Sequence, residues 1–275
     1  MAGVRVVSWN MGMARESRGK PGVHDQAWHY LLGLGPDVAF VQEALPPAWV
    51  RGEGTLIHGP FKQWGSAIFS SRYPLERYRL PPESNLRTLG AYIAFGLVSL
   101  PDGSDAFVAS VHARSGTATS AQLGDLKASA VKRPSSKTPL VNDAVFAGLA
   151  ELVGDRFIVA GDWNTARKQG TERATRVGAE FFERAQEKGW FDCVWEKRRD
   201  ETRTWFGNGR IQQDDHAFCD RALGKRLADV WVADDAALHL GLSLHAPLIL
   251  EFEVDSIAMT SLSEQAAAAV EVEPA

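Results

Sequence analysis

The sequence has very little cysteine: Cys193 and Cys219 are the only two in 275 residues. Two thiols cannot make a disulfide framework, which points to a reducing, cytoplasmic setting. No apolar run approaches the ~18 residues that a membrane span requires. The start lacks a basic region followed by an apolar stretch; Met1 leads almost at once into Val4-Arg5-Val6-Val7-Ser8-Trp9, so no secretory leader is read there. Internal repeats are absent. Net charge is also small, −4, and it is localised: residues 255–275 hold Asp255, Glu264, Glu271 and Glu273 and no Lys or Arg. The chain has 34 acids, so setting those four aside leaves 30 acids against 30 basic residues. A neutral body excludes a general polyanion-binding field, and any nucleic-acid contact must come from local clusters.

The rest of the chain is ordinary globular sequence, and its pattern alternates short β-rich runs with two long helical stretches. Strands are expected at Val4–Trp9, Val38–Val41, Gly65–Ser70, Tyr92–Leu100, Ala106–Val111, Phe157–Ala160, Thr202–Phe206, His216–Cys219, Leu227–Val232 and Leu248–Val254. Helices are expected around Trp28–Leu32, 140–153 and 173–188. Many short strands with interspersed helices predict an α/β chain of two packed sheets flanked by helices. One domain over 1–254 is expected. The acidic, Ala- and Ser-rich tail from 255 to 275 has no clear apolar face and is read as disordered.

The informative feature is where polar residues fall. Val6-Val7-Ser8-Trp9 runs into Asn10, and Val38-Ala39-Phe40-Val41-Gln42 runs into Glu43. Phe107-Val108-Ala109-Ser110-Val111 ends in His112, and Phe157-Ile158-Val159-Ala160-Gly161 ends in Asp162-Trp163-Asn164. Buried strands rarely end in carboxylates and amides unless these are paired or bind a ligand. Any one such ending suits a turn or cap; four with the same form argue for a shared polar rim. Hard oxygen donors of this kind suit Mg²⁺ or Mn²⁺ together with a phosphate.

These motifs resemble those of the endonuclease/exonuclease/phosphatase superfamily, the DNase I-like and exonuclease III-like enzymes. Ser8-Trp9-Asn10, Val41-Gln42-Glu43, Gly161-Asp162-Trp163-Asn164, Gln213-Asp214-Asp215-His216 and Ser243-Leu244-His245-Ala246-Pro247 occur in that family's order, over roughly residues 4–254. The resemblance implies a four-layer α/β/β/α sandwich of two mixed sheets and a metal-dependent phosphoester hydrolase. It also implies roles. Glu43 binds the metal, and Asn10 supports it or orients the attacking water. Asp162 positions or deprotonates that water, and Asn164 holds a non-bridging phosphate oxygen. His245 contacts the phosphate or acts as base, with Asp215 fixing its tautomer. His112 protonates the leaving oxygen.

Two positions depart from the family pattern. Leu244 stands where the last motif has Asp, and Gly12 stands where many exonuclease III-like members have Asp. The metal position is therefore poor in carboxylates. Arg114, Lys127, Lys132, Arg133 and Lys137 form a basic stretch after His112 that could guide a nucleic-acid backbone or be a solvated loop. Arg167, Lys168, Arg173 and Arg176 could extend that edge, though a solvated helix face suits them better. Trp205, in Thr204-Trp205-Phe206, is the aromatic best placed to touch substrate, alongside Asn10 and Arg114; Trp9 and Trp163 read as packing beneath the site. Three functions remain open: a nuclease on DNA or RNA, a phosphatase or phosphodiesterase for a small or lipid-linked phosphoester, and a non-catalytic binding relative. The His112-Ala113-Arg114-Ser115 segment gives no support to an abasic-site role. A monomer is favoured.

Overall fold

The computed structural model describes residues 2–12, 22–59, 64–89, 92–168, 170–207 and 212–255. The acidic tail from 256 onward lies outside the described residues. Two six-stranded mixed sheets pack face to face. In the first, the order is β11 (Leu227–Val232), β12 (Leu248–Val254), β1 (Ala2–Asn10), β2 (Val38–Ala44), β4 (Gly65–Ser70) and β3 (Thr55–His58). In the second it is β5 (Leu75–Arg77), β6 (Ile93–Ser99), β7 (Asp105–His112), β8 (Phe157–Asp162), β10 (Asp215–Cys219) and β9 (Phe191–Asp192). The pairs β1–β2 and β7–β8 are parallel, and the other pairings are antiparallel.

Three apolar layers hold this together. Val4, Val6, Val38 and Phe40 of the first sheet meet Val108, Ile158, Ala160 and Ala217 of the second between the sheets. The helix Val23–Gly33 covers the outside of the first sheet through Ala27, Trp28 and Leu31. The helices Val141–Leu152 and Glu172–Glu187 cover the second through Val145, Phe146, Leu149, Phe181 and Phe182. The result is the α/β/β/α sandwich that the motifs implied. No helix among the described residues is long and apolar enough to cross a membrane.

Strand alternation explains where the site sits. Alternate residues of a strand share a face. On β1 the inward series is Val4, Val6, Ser8 and Asn10; on β2 it is Val38, Phe40 and Gln42; on β7 it is Val108, Ser110 and His112; on β8 it is Ile158, Ala160 and Asp162. Strand β10 runs the other way, from Asp215 through Ala217 to Cys219. The inter-sheet layer is thus apolar at one end and polar at the other, and the polar end is closed from beneath. Gln42 Nε2 donates across the gap to Ser110 Oγ at 2.9 Å, and Ser110 Oγ donates to the Val41 carbonyl, also at 2.9 Å.

The secondary structure departs from expectation in instructive places. Residues 202–206 form no strand; Trp205 makes only isolated bridges to Gln212 and His245. The backbone amides of Thr204 and Trp205 share one acceptor, the Gln212 carbonyl, which breaks a regular ladder. Strands β3, β5 and β9 were not anticipated. They are short edge elements with little alternation of burial to read. The first helix begins at Val23 rather than near Trp28.

Gly161 lets β7 and β8 approach at the site. Its φ is +151°, and a Cβ there would lie 1.9 Å from the Val111 carbonyl oxygen. Gly161→Ala is expected to cost at least about 2 kcal/mol, from a strained backbone with no room to relax. Urea denaturation gives the value; an unchanged midpoint would mean that the two strands can separate freely here.

Candidate functional site

Strand register assembles the polar end. In the parallel β7–β8 pair His112 lies opposite Asp162, and in the antiparallel β8–β10 pair Asp162 lies opposite Asp215. In the other sheet Asn10 lies opposite Gln42. The two rows meet at Asp162 Oδ2. Asn10 Nδ2 donates to that oxygen at 2.9 Å, His112 Nε2 lies 3.7 Å away and His245 Nε2 lies 3.9 Å away. The other oxygen, Oδ1, accepts from the Asn164 backbone amide at 2.9 Å and from Asn164 Nδ2 at 2.8 Å. His245 Nδ1 is 2.9 Å from Asp215 Oδ2, so Nδ1–H donates to the Asp215 carboxylate and Nε2 is left facing Asp162. All of Asn10, His112, Asp162, Asp215 and His245 are buried.

Two residues reach this cluster through unusual backbone. Glu43 lies within a bulge in the β2–β4 pairing, between Val41 and Ala44, and has φ +46°. Simple alternation would turn it away from Gln42; the bulge re-aims it, and Oε1 comes within 3.3 Å of His112 Nε2. Asn164 has φ +48°, a conformation Asn tolerates better than most residues. Left-handed non-glycine backbone gathers at functional sites because surrounding contacts must hold it there.

Burial and charge tune the site. Burial pushes the Asp162 carboxyl up to about 8, with Asp215 and Asp214 adding to the rise and His245 and Asn10 opposing it. Burial also raises Asp214, with Asp215 beside it contributing. For His245, burial disfavours the charged ring, yet Asp215 by charge and hydrogen bond, then Asp162 and Asp214, outweigh it and carry the ring up to about 10. The site therefore holds a carboxylate that exchanges its proton just above neutrality beside an imidazolium.

Several further residues support the site; no role for Thr204, Ser243 or Asn142 is legible in the sequence, whereas Trp9 and Trp163 read as packing beneath it. Thr204, fully buried, accepts from the backbone amides of both Asp214 and Asp215 at 3.1 Å. Ser243 Oγ donates to the Asn10 carbonyl at 2.8 Å and accepts from the His245 amide at 3.0 Å, which ties the last motif to the first. Trp9 Nε1 donates to the His245 carbonyl at 2.8 Å; Trp9 and Trp163 both lie wholly buried beneath the site. Asn142 Nδ2 donates to the Trp163 carbonyl at 3.1 Å and so steadies the turn that carries Asp162 and Asn164.

The basic stretch is not the loop that composition suggested. Arg133 is 1% exposed. Its Nε pairs with Asp143 at 2.6 Å, Nη2 donates to Asn142 Oδ1 at 2.6 Å, Nη1 donates to the Val177 carbonyl at 2.7 Å, and the guanidinium stacks on Phe181. Arg133 is a buried clamp, unable to meet a phosphate backbone. Residues 114–140 contain the short helices Ser120–Leu123 and Ala128–Val131, and Val131 packs with Ala118 and Ala144. Lys127 and Lys137 are exposed, while Lys132 Nζ donates to the Ser136 carbonyl at 3.0 Å. Arg167 pairs with Asp192 at 2.8 Å and lies over Phe182 and Trp195, Lys168 pairs with Asp200, and Arg176 pairs with Glu172. Exposed Arg114 does reach the rim: its Nη1 is 3.1 Å from the Tyr92 hydroxyl, and the Tyr92 ring meets His112 edge-on. Trp205 is half-buried and bridged to His245.

No group of three or more His, Cys, Asp or Glu among the described residues is arranged as a closed metal cage. The donor set does suit a hard cation that keeps most of its water and completes its shell from a phosphate. Glu43 supplies one carboxylate. Asn10 Oδ1, which accepts from the Gly12 amide at 2.9 Å, retains a second lone pair. Leu244 is 42% exposed and offers no donor.

The sequence model of the endonuclease/exonuclease/phosphatase family matches residues 7–237. Compared by sequence with curated proteins, the chain matches none. Solved structures match it over nearly its whole length. An AP endonuclease from Archaeoglobus fulgidus is 16% identical with a TM-score of 0.62, over 91% of this chain and 100% of that one. A 3'-5' exonuclease, NExo, from Neisseria meningitidis is 15% identical with a TM-score of 0.64, over 91% and 100%. An AP endonuclease from Leishmania major is 14% identical with a TM-score of 0.63, over 92% and 88%.

The His245–Asp215 pair has a measurable signature. The folded ring titrates near 10 against an ordinary value of 6.5, so its stabilising contribution is complete below about pH 6.5 and is lost as pH rises through about 10. Imidazole NMR is expected to show His245 still doubly protonated at pH 8, and Asp215→Asn to bring its midpoint down. A midpoint near 6.5 in the unsubstituted protein would remove the ion pair from the site.

Proposed function

Because the chain belongs to the endonuclease/exonuclease/phosphatase family, we propose that it is a Mg²⁺- or Mn²⁺-dependent phosphodiesterase acting on DNA or RNA. The observation that carries this reading is the convergence of Asn10 Nδ2, His112 Nε2 and His245 Nε2 on one oxygen of Asp162. Phosphoester hydrolysis needs a water held in line, charge offset on the non-bridging oxygens and a proton for the leaving oxygen. Asp162, exchanging its proton near 8, orients the water and accepts its proton. His245, positively charged and fixed by Asp215, faces the non-bridging oxygens. Asn164 exchanges its bond to Asp162 for one to the phosphate, and His112 donates to the leaving oxygen.

A phosphodiester entering between Glu43 and Asp162 meets the Glu43 carboxylate and, once Asp162 gives up its proton, a second negative charge. His245 alone offsets only part of that repulsion. A divalent cation on Glu43 and Asn10 would supply the remaining positive charge and polarise the phosphate. Nucleic acid as substrate draws support from a similar structure, the 3' phosphatase NExo from Neisseria, which was solved with a product DNA hairpin. Arg114, beside Tyr92, and Trp205, bridged to His245, suit a backbone phosphate and a base or sugar. The absence of a membrane-spanning helix among the described residues is compatible with the cytoplasmic setting that low cysteine content suggests.

The test is hydrolysis of plasmid DNA, RNA and a panel of phosphomonoesters and diesters with Mg²⁺ or Mn²⁺. Nucleic-acid cleavage is expected, and EDTA should abolish it; full turnover in chelator would sink the metal dependence. Asp162→Ala, Asn164→Ala and His245→Ala should each lower turnover at least ~100-fold, with Asp215→Asn intermediate. Near-normal rates in two of the first three, with unchanged melting, would place the chemistry elsewhere.

Leu244 provides a separate test of the sparse metal position. Its exposure means that a carboxylate there would stay solvated, so Leu244→Asp should melt normally. The Mg²⁺ concentration for half-maximal rate should fall. A normal melt with no change in metal requirement would put this side chain out of reach of the cation.

A further inference from the structure

Beside the catalytic cluster, and sharing none of its residues, a cavity of about 460 Å³ opens between the 198–206 segment and the end of β11. It is tied to the site through backbone. Arg203, which lines it, lies two residues before Trp205, and Trp205 is bridged to His245. Phe206, also in its wall, donates its amide to the Leu244 carbonyl at 2.8 Å. Thr204 between them turns inward to hold the Asp214 and Asp215 amides. The stretch that forms one wall of the cavity thus also supplies the hydroxyl that holds the backbone of Asp214 and Asp215.

The wall has two chemistries. Arg203 Nε donates to the Trp205 carbonyl at 3.2 Å, and its guanidinium lies over the Phe206 ring at 4.2 Å. Those contacts fix the plane of the fork, while its two Nη groups donate to no described residue. A fixed guanidinium is suited to bidentate binding of a phosphate. Arg198 is different: its Nη2 is spent on the Val230 carbonyl and Asp229. Trp231, Val232 and Leu238 also line the cavity and give it an apolar part, and Asp234 adds a carboxylate. Leu238, Leu240 and Leu244, exposed by 52%, 53% and 42%, are the large exposed hydrophobics among the described residues, and all fall in one seven-residue stretch leading to His245. Exposed apolar clusters of this kind mark contact surfaces.

We propose that this cavity is a nucleotide subsite: it takes the nucleotide next to the scissile phosphate on the His245 side, in a single-stranded or frayed nucleic acid. Arg203 holds its phosphate, Trp231 and Leu238 pack on its base or sugar, and Asp234 accepts from an amino or hydroxyl group. Three leucines alone would suit a lipid surface equally well. The concave shape, the held fork and the carboxylate in its lining favour a nucleotide. The inference rests on the nuclease reading for its place in catalysis, and its test separates the two.

The test uses Arg203→Gln, with Arg203→Lys as the variant that keeps charge but loses the fork, both checked by melting. Each is assayed on bis(p-nitrophenyl) phosphate, which has no flanking nucleotide, and on a labelled single-stranded oligonucleotide, with binding followed by anisotropy in EDTA. Arg203→Gln is expected to raise KM for the oligonucleotide about tenfold, to weaken binding to the same extent and to lower its log–log salt slope by ~0.7. Hydrolysis of the aryl diester should be unchanged, and Arg203→Lys should recover part of the binding. Unsubstituted protein that cleaves the oligonucleotide while Arg203→Gln behaves identically overturns the subsite and leaves the nuclease. Arg203-dependent binding without cleavage supports the subsite and removes the nuclease. Binding to phosphatidylserine vesicles that Leu240→Ser abolishes, with none to the oligonucleotide, assigns the patch to lipid and overturns the proposal.

Discussion

The hydrogen bond from Asn10 to Asp162 joins the two sheets at the polar end of the sandwich, and the site depends on it. Below this level, apart from the Gln42–Ser110 link one layer deeper, the sheets meet through apolar contact, which sets spacing but not register. At this level an amide from β1 and a carboxylate from β8 must meet at 2.9 Å. A buried carboxylate without donors is costly, and three donated bonds, from Asn10 Nδ2 and twice from Asn164, offset that cost. The same bonds leave Asp162 Oδ2 turned toward both histidines. Satisfying the buried group and aiming it are one arrangement.

The surrounding polar layer extends this logic. Gln42 and Ser110 make a second link between the sheets one layer deeper, and Ser243 and Trp9 attach the last motif to the first. Asn142 anchors the Trp163 carbonyl, and Arg133, clamped on Asp143, holds Asn142 in turn. Each of these bonds restricts its neighbours. The outcome is a cluster with little freedom around Asp162 and more at Glu43, whose carboxylate is partly exposed and is delivered by a bulge. That division suits a fixed base and charge-stabilising pair beside a cation held loosely by one acidic ligand.

What the sequence made legible follows from strand geometry. Asn10, His112 and Asp162 were readable because each is the polar end of an inward-facing apolar series, and alternation survives in a single chain. Asp215 and His245 were readable only through their motifs: neither ends an apolar run. Arg133 was misread because charge in a Ser- and Thr-rich segment looks solvated, and its partners Asp143, Asn142 and Val177 lie 9–44 positions away. Thr204 was invisible for a related reason. Its side chain serves two backbone amides ten and eleven residues on, and that pattern exists only after folding. Edge strands such as β5 escaped notice because, exposed on one side and three residues long, they need no periodic pattern to pair.

The departures at Gly12 and Leu244 belong to the same account. Gly12 adopts φ +63° and gives its amide to Asn10 Oδ1, so the backbone there supplies a donor where a side chain would supply a negative charge. Leu244 sits exposed between Ser243, bonded to Asn10, and His245, bonded to Asp215. Neither change disturbs a bond that holds Asp162, Asp215 or His245. The electrostatic consequence runs in one direction. If the substrate is a phosphoester, as proposed, fewer carboxylates near Glu43 would lessen its repulsion, and His245, held as a cation by Asp215, would bear a larger share of the charge to be offset. On the proposed reading the site would trade cation affinity for a positive group of its own, which the 2.9 Å bond from His245 to Asp215 holds in place.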